Sequence, residues 1–297
     1  MPAFAADKPT LRHGYADNRY GQLHYATAAP PGGGDTSKPP LVMFHQSPNS
    51  SIEFDALTAE LGKDRVVYAL DTPGHGGSDG PAEIPTIEEL ADAMHEALTD
   101  LGFGPDRPID AFGFHTGTRI LSVLAVKHPK MVRRVMMGLS GVSVVPAEES
   151  AALLAAVYHP KSAEDAFTRF CARLPERIRS SQAMGIPDLV WGKLAAGQLR
   201  GLTRYEYGHA AAFEFGTRFD DHLKRLTQPI SFLVVEDGMK ASGAAKKSAR
   251  EMSDQVVGMM TASKKAKVLP EDFILSDLHL NAKAIADVMR RFQDEPG

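Results

Sequence analysis

An α/β fold, with a mostly parallel sheet, helices on both faces and an inserted helical cap, is predicted by three observations. Short apolar runs alternate with segments of helical periodicity through the first half of the chain. A strand runs without a linker into a helix at Gly113-Phe114-His115-Thr116-Gly117. A long stretch without strand signal then separates this alternation from its resumption near the C-terminal end. The core is assigned to 1–145 and 229–297 and the cap to 146–228.

The elements follow in order. Met1 to Thr10 has neither a basic nor a long apolar stretch and reads as a frayed end, not a signal peptide. Gly21 to Ala28 is a first strand, followed by a Gly/Pro-rich loop. Leu41-Val42-Met43-Phe44 is the kind of run that fills a strand buried on both faces, and it breaks at His45-Gln46-Ser47-Pro48-Asn49. Ser50 with Glu53, and later Thr86 with Glu89, have capping-box spacing and predict helix starts. Arg65 to Leu70 is a strand that leads into the glycine-rich Asp71-Thr72-Pro73-Gly74-His75-Gly76-Gly77-Ser78. Ile87, Leu90, Ala91, Met94, Leu98 and Leu101 mark one face of a helix. Pro108 to Phe114 and Val132 to Leu139 are strands with a helix over Ile120 to His128 between them. After the cap come a strand at Ile230 to Val235, a helix from about Ala244, a strand at Ala266 to Leu269 and a last helix from Ala282 to Phe292.

Composition narrows the function classes. A formal net charge of -4, with 33 basic residues scattered among 37 acidic ones, leaves no electrostatic footprint for nucleic acid or anionic membrane. A small-molecule substrate is the expectation. With one cysteine, Cys171, there is no internal disulfide and no thiolate zinc site, so a reduced, cytoplasmic setting is expected. No apolar run reaches membrane-spanning length, and no His-x-x-x-His spacing points to a metal, so neither cofactor nor metal is expected.

The tight bend around His115 requires small residues at Gly113 and Gly117. With the strand ending in His45 and with Asp71-x-Pro-Gly-x-Gly-x-Ser, it makes a chain that resembles the α/β-hydrolase family at three motifs in the family's order. More narrowly it resembles a subgroup with His-Gln-x-Pro after the corresponding strand and Gly-x-His-Thr-Gly at the bend. In most of the family that position holds serine, cysteine or aspartate. The resemblance implies an acid after a late strand, Asp237 with Glu236 as the alternative, and a histidine before the last helix, His279. It also implies that backbone N–H groups of Thr116 and Ser47, with Gln46 as the adjacent alternative, bind an oxyanion.

A neutral imidazole is already nucleophilic near neutral pH and needs no neighbour to remove a proton first. His115 is therefore expected to attack an acyl group of a small ester or lactone, with His279 and Asp237 activating water. Alternatives are a base-catalysed enzyme such as a lyase, and a ligand-binding protein. Tyr205, Tyr207, His209 and Phe213 of the cap are candidates for substrate contact. His45 and His75 read as loop anchors. Histidine chemistry predicts an activity limb between about pH 5 and 8.

Overall fold

The structure is a computed structural model, and it describes residues 11–31, 37–139, 162–204, 206–216, 218–236, 248–260 and 266–295. Strands β1 (Arg12–Asn18), β2 (Gly21–Ala28), β3 (Leu41–Phe44), β4 (Val67–Leu70), β5 (Ile109–Phe114), β6 (Val132–Leu139), β7 (Ile230–Glu236) and β8 (Ala266–Ile274) form one sheet. Its order is β1-β2-β4-β3-β5-β6-β7-β8. The pairs β1/β2 and β2/β4 are antiparallel, and every pairing from β4 to β8 is parallel. The parallel strands thus all end on one edge, where their following loops meet.

Both faces are covered. Alternation within β3 sends Val42 and Phe44 to one face and Leu41 and Met43 to the other, the period of two that a pleated strand imposes. The first face packs α2 (Ile87–Asp100) and α3 (Thr116–Lys127); the second packs α1 (Asp55–Leu61) and the last helix, α10 (Ala282–Gln293). Between β6 and β7 lie α4 (Ala163–Ala183), α5 (Asp188–Arg200), α6 (Tyr207–Phe215) and α7 (Arg218–Arg225). The last two join the first face through Ala211, Phe215, Phe219 and Leu223, whereas among the described residues α4 and α5 contribute to none of the apolar clusters. The remaining helices are α8 (Ala249–Met259) and the short α9 (Asp277–Leu280).

Three expectations change. β1 pairs with β2 along its whole length, yet only Ala16 of it is buried, so as an edge strand it carries no apolar alternation to read. Thr86 and Glu89 form their capping box, but Ser50 and Glu53 do not. A four-residue 3-10 turn, Ser51–Phe54, precedes α1 instead, because the Glu53 side chain turns inward. Finally, β8 continues past Leu269 to Ile274; its register against β7 shifts around Pro270, and a bulge is where a strand tolerates proline.

Candidate active site

His115 has φ 48° and ψ -111°, and among the described residues it is the one non-glycine side chain at positive φ. Such a backbone costs on the order of 1–3 kcal/mol, which the surrounding packing must hold in place. The two glycines show how. A Cβ on Gly113 would stand 2.5 Å from the carbonyl oxygen of Gly117, and one on Gly117 would overlap the carbonyl oxygen of Phe44. The first turn of α3 is thereby pressed onto the end of β3. His115 N–H donates to Gly138 on β6 at 3.2 Å, and the His115 carbonyl accepts from Thr118 N–H and Oγ1 at 2.9 and 2.6 Å.

The ring of His115 meets Phe114 edge-on, with centroids 4.7 Å apart. Burial, then the charges of Arg119 and His209, hold its pKa down at about 3, so the imidazole is neutral at physiological pH. Arg119 lies one turn along α3, over the ring of Phe219, and burial alone pulls its guanidinium down to about 10.

The loop after β3 is the second wall. Ser47 N–H points to Thr116 Oγ1 at 3.4 Å, which brings the two segments expected to bind an oxyanion side by side. Thr116 begins a helix, where amides have no intrahelical acceptor. The Gln46 amide is committed elsewhere: its N–H donates to Glu53 Oε2 at 3.2 Å and its side-chain amide to Oε1 of the same carboxylate. Asn49 Nδ2 adds a third bond to Glu53 at 2.8 Å. Buried among these, Glu53 is pushed up to about 7 despite its donors. His45 donates from Nδ1 to the Gln46 carbonyl at 2.7 Å and accepts at Nε2 from Thr72 N–H at 2.9 Å. Both ring nitrogens are engaged, which makes His45 an anchor between two loops. His75 is likewise buried; its Nδ1 lies 3.3 Å from the Pro73 carbonyl, and burial, then His45, lowers it to about 3.

The helices after β6 close over this edge. Gly208 sits so tightly on the loop that a Cβ there would overlap Ser47 Oγ and lie 3.2 Å from His75 Cε1. Gln198 Nε2 donates to Asn49 Oδ1 at 2.7 Å, and Gln198 Oε1 accepts from Arg177 Nη1 at 2.5 Å. A chain of hydrogen bonds therefore runs from Glu53 through Asn49 and Gln198 to α4. Tyr207 is buried, with its hydroxyl donating to the Ala82 carbonyl at 2.7 Å, so it pins this layer to the loop after β4. His209 is half-buried, stacks on Phe213 with centroids 6.1 Å apart, and donates from Nδ1 to Glu206 Oε2 at 3.0 Å.

His279 lies on α9, which packs against the Ser51–Phe54 turn and α1, and burial lowers its pKa. Gly185, between α4 and α5, also faces the side chain of Leu280 on this helix. Glu236 ends β7 with Oε1 accepting the Ala249 N–H at the start of α8, 2.6 Å away. Its carboxylate is thus occupied as a helix-end acceptor. Asp237 and Tyr205 lie outside the described residues. Sequence reasoning passed over Glu53, Glu206 and Gln198. Glu53 left a signal in its spacing from Ser50, which pointed to a cap, and Glu206 left one in its spacing of three from His209. Among the described residues no His, Cys, Asp and Glu side chains are grouped as a metal ion would need, and no helix is long and apolar enough to cross a membrane.

Residues 39–185 match the model of the alpha/beta hydrolase fold family. By this match and by its architecture the chain belongs to that family. A pimeloyl-[acyl-carrier protein] methyl ester esterase of Neisseria meningitidis is 35% identical over 97 residues, 32% of this chain and about a third, 34%, of the esterase's length. Among solved structures, a hydrolase from Pseudomonas aeruginosa PA01 has 19% identity and a TM-score of 0.66, covering 96% of this chain and 99% of its own. The enol-lactonase from Burkholderia xenovorans LB400 has 17% identity and a TM-score of 0.63, covering 95% and 100% respectively. At these identities the two structures speak for the fold.

Proposed function

We propose that the protein is a hydrolase of a small ester, lactone or related acyl compound in which His115 is the attacking group. One observation carries this reading: a neutral imidazole occupies the strained bend, with the Ser47 and Thr116 segments beside it. A ring nitrogen of His115 adds to the acyl carbon, and the resulting oxyanion is met by the Thr116 and Ser47 amides. Ser47 is preferred over Gln46 because its N–H makes only a long 3.4 Å approach to the Thr116 hydroxyl, whereas the Gln46 N–H donates to the Glu53 carboxylate at 3.2 Å. His279, with Asp237 as its acid, then activates the water that releases the acid product. Asp237 is preferred over Glu236 because the Glu236 carboxylate already serves α8.

The segment 146–228 supplies the lid through α4 and α5, while α6 brings His209 and Phe213 towards the substrate. An ester and a lactone named among the relatives agree with an acyl substrate.

The test uses short-chain nitrophenyl esters and lactones with His115→Ala and His115→Ser. The Ala variant is expected to fall to background, and rapid quenching of the wild type to yield a His115 peptide heavier by the acyl group. Activity retained in the Ala variant, or esterase activity present in the Ser variant alone, overturns the reading.

A further inference from the structure

The attack written above leaves one proton without a destination. When one nitrogen of His115 bonds to the acyl carbon, the ring carries a positive charge until its other nitrogen is deprotonated. Burial and the Arg119 cation disfavour a charged ring at this position, as they do for protonation itself. A neutral base at the elbow is therefore needed.

From the pairing of His209 with Glu206 on a helix turn seated on the Ser47 loop, we infer that His209 is a catalytic proton carrier for His115 and Glu206 its positioning residue. This rests on His115 being the nucleophile. Glu206 has its side chain only 12% exposed and is gripped from two sides, by His209 Nδ1 at 3.0 Å and by Arg173 Nη1 of α4 at 3.1 Å. Burial opposes its ionisation, but the hydrogen bond from His209 and the Arg173 guanidinium outweigh it, so Glu206 is a carboxylate and can only accept. Against this carboxylate an imidazole with one ring proton holds it on Nδ1, which leaves the lone pair on Nε2.

The ring is held as well as polarised. Phe213 stacks beside it, and Gly208, the preceding residue, is in contact with Ser47 and His75. α6 also packs on α3, whose first residue follows the elbow. With its side chain 34% exposed, His209 remains open to a substrate.

The step balances as follows. A C–N bond forms between His115 and the acyl carbon, and the C–O bond to the leaving group breaks. The second ring nitrogen of His115 gives its proton to His209 Nε2, and His209 hands it to the departing alkoxide. The products are a neutral acyl-imidazole, an alcohol and a neutral His209.

A leaving group that departs as a stable anion hardly needs that proton, whereas an alkoxide does. The experiment compares nitrophenyl and methyl esters of one acid with His209→Gln and Glu206→Gln, each checked for unchanged thermal unfolding. His209→Gln is expected to lose several-fold in kcat/KM with the nitrophenyl ester and about a hundredfold or more with the methyl ester. Glu206→Gln should show a smaller version of the same split. Nitrogen-15 NMR should find the His209 proton on Nδ1 in the wild type. Equal losses on both esters, or the proton on Nε2, overturn the assignment even where His115→Ala is inactive; an active His115→Ala enzyme instead removes the nucleophile on which it rests.

Discussion

His115 and His75 are carried down to about 3 by burial, while burial carries Glu53 up to about 7, and the two effects load stability with opposite signs. For the histidines, an unfolded chain binds protons below about pH 6.5 that the native state refuses until about 3. Stability therefore falls as pH drops through that window and is complete above it. For Glu53, the native state keeps its proton between the unfolded value of 4.5 and about 7, so stability falls as pH rises through that range. Asp55 and Asp110, each raised to about 6 chiefly by burial, share the sign of Glu53. Urea unfolding at a series of pH values separates the groups. Relative to wild type, Glu53→Gln should gain stability as pH rises from about 4.5 to about 7 and level off above it, and His115→Gln should gain as pH falls from 6.5 towards 3. A pH-independent offset for either variant rejects its assignment. The same burial moves the titration of His115 below the range of about pH 5 to 8 that the residue type alone suggests.

The elements show which sequence signals translate into structure and which do not. The elbow was legible because it is made of local necessities: two glycines four apart, each facing a backbone that leaves no room for a Cβ. Gly117→Ala tests this. Its methyl would meet the Phe44 carbonyl, a rigid partner in a fully buried strand, so the expected loss is about 1–3 kcal/mol or more. Denaturant unfolding should show it at every pH, and a variant as stable as wild type would mean that α3 does not press on β3. The buried strands β3, β5 and β7 were equally legible, since both faces demand apolar residues. The spacing of Ser50 and Glu53 misled because the buried loop competes for the same carboxylate, offering it Gln46 and Asn49 instead of a helix end. Glu206 stands three residues before His209, a local spacing that the sequence reading did not use, whereas its second partner Arg173 reaches it only when α4 and α6 pack.

At the scale of the molecule, the parallel sheet delivers the loops after β3, β4 and β5 to one edge, and the helices inserted after β6 cover it. Cover and loop are not independent, because Gln198 of α5 holds Asn49, and Asn49 shares Glu53 with the Gln46 amide next to Ser47. Gln198 is itself held by Arg177 of α4, so both helices are tied by hydrogen bonds to the residues flanking the proposed oxyanion donor. Gln198→Ala removes the middle link while leaving every group of the proposed chemistry in place. The half-buried Asn49 then loses one hydrogen bond, a cost of about 0.5–1.5 kcal/mol that is concentrated where α5 meets the loop. Hydrogen exchange should accelerate in 188–200 and also in 45–50, which lies on a different element. Faster exchange in 188–200 alone would show that α5 moves without the loop, and the tie argued from this chain of bonds would be wrong.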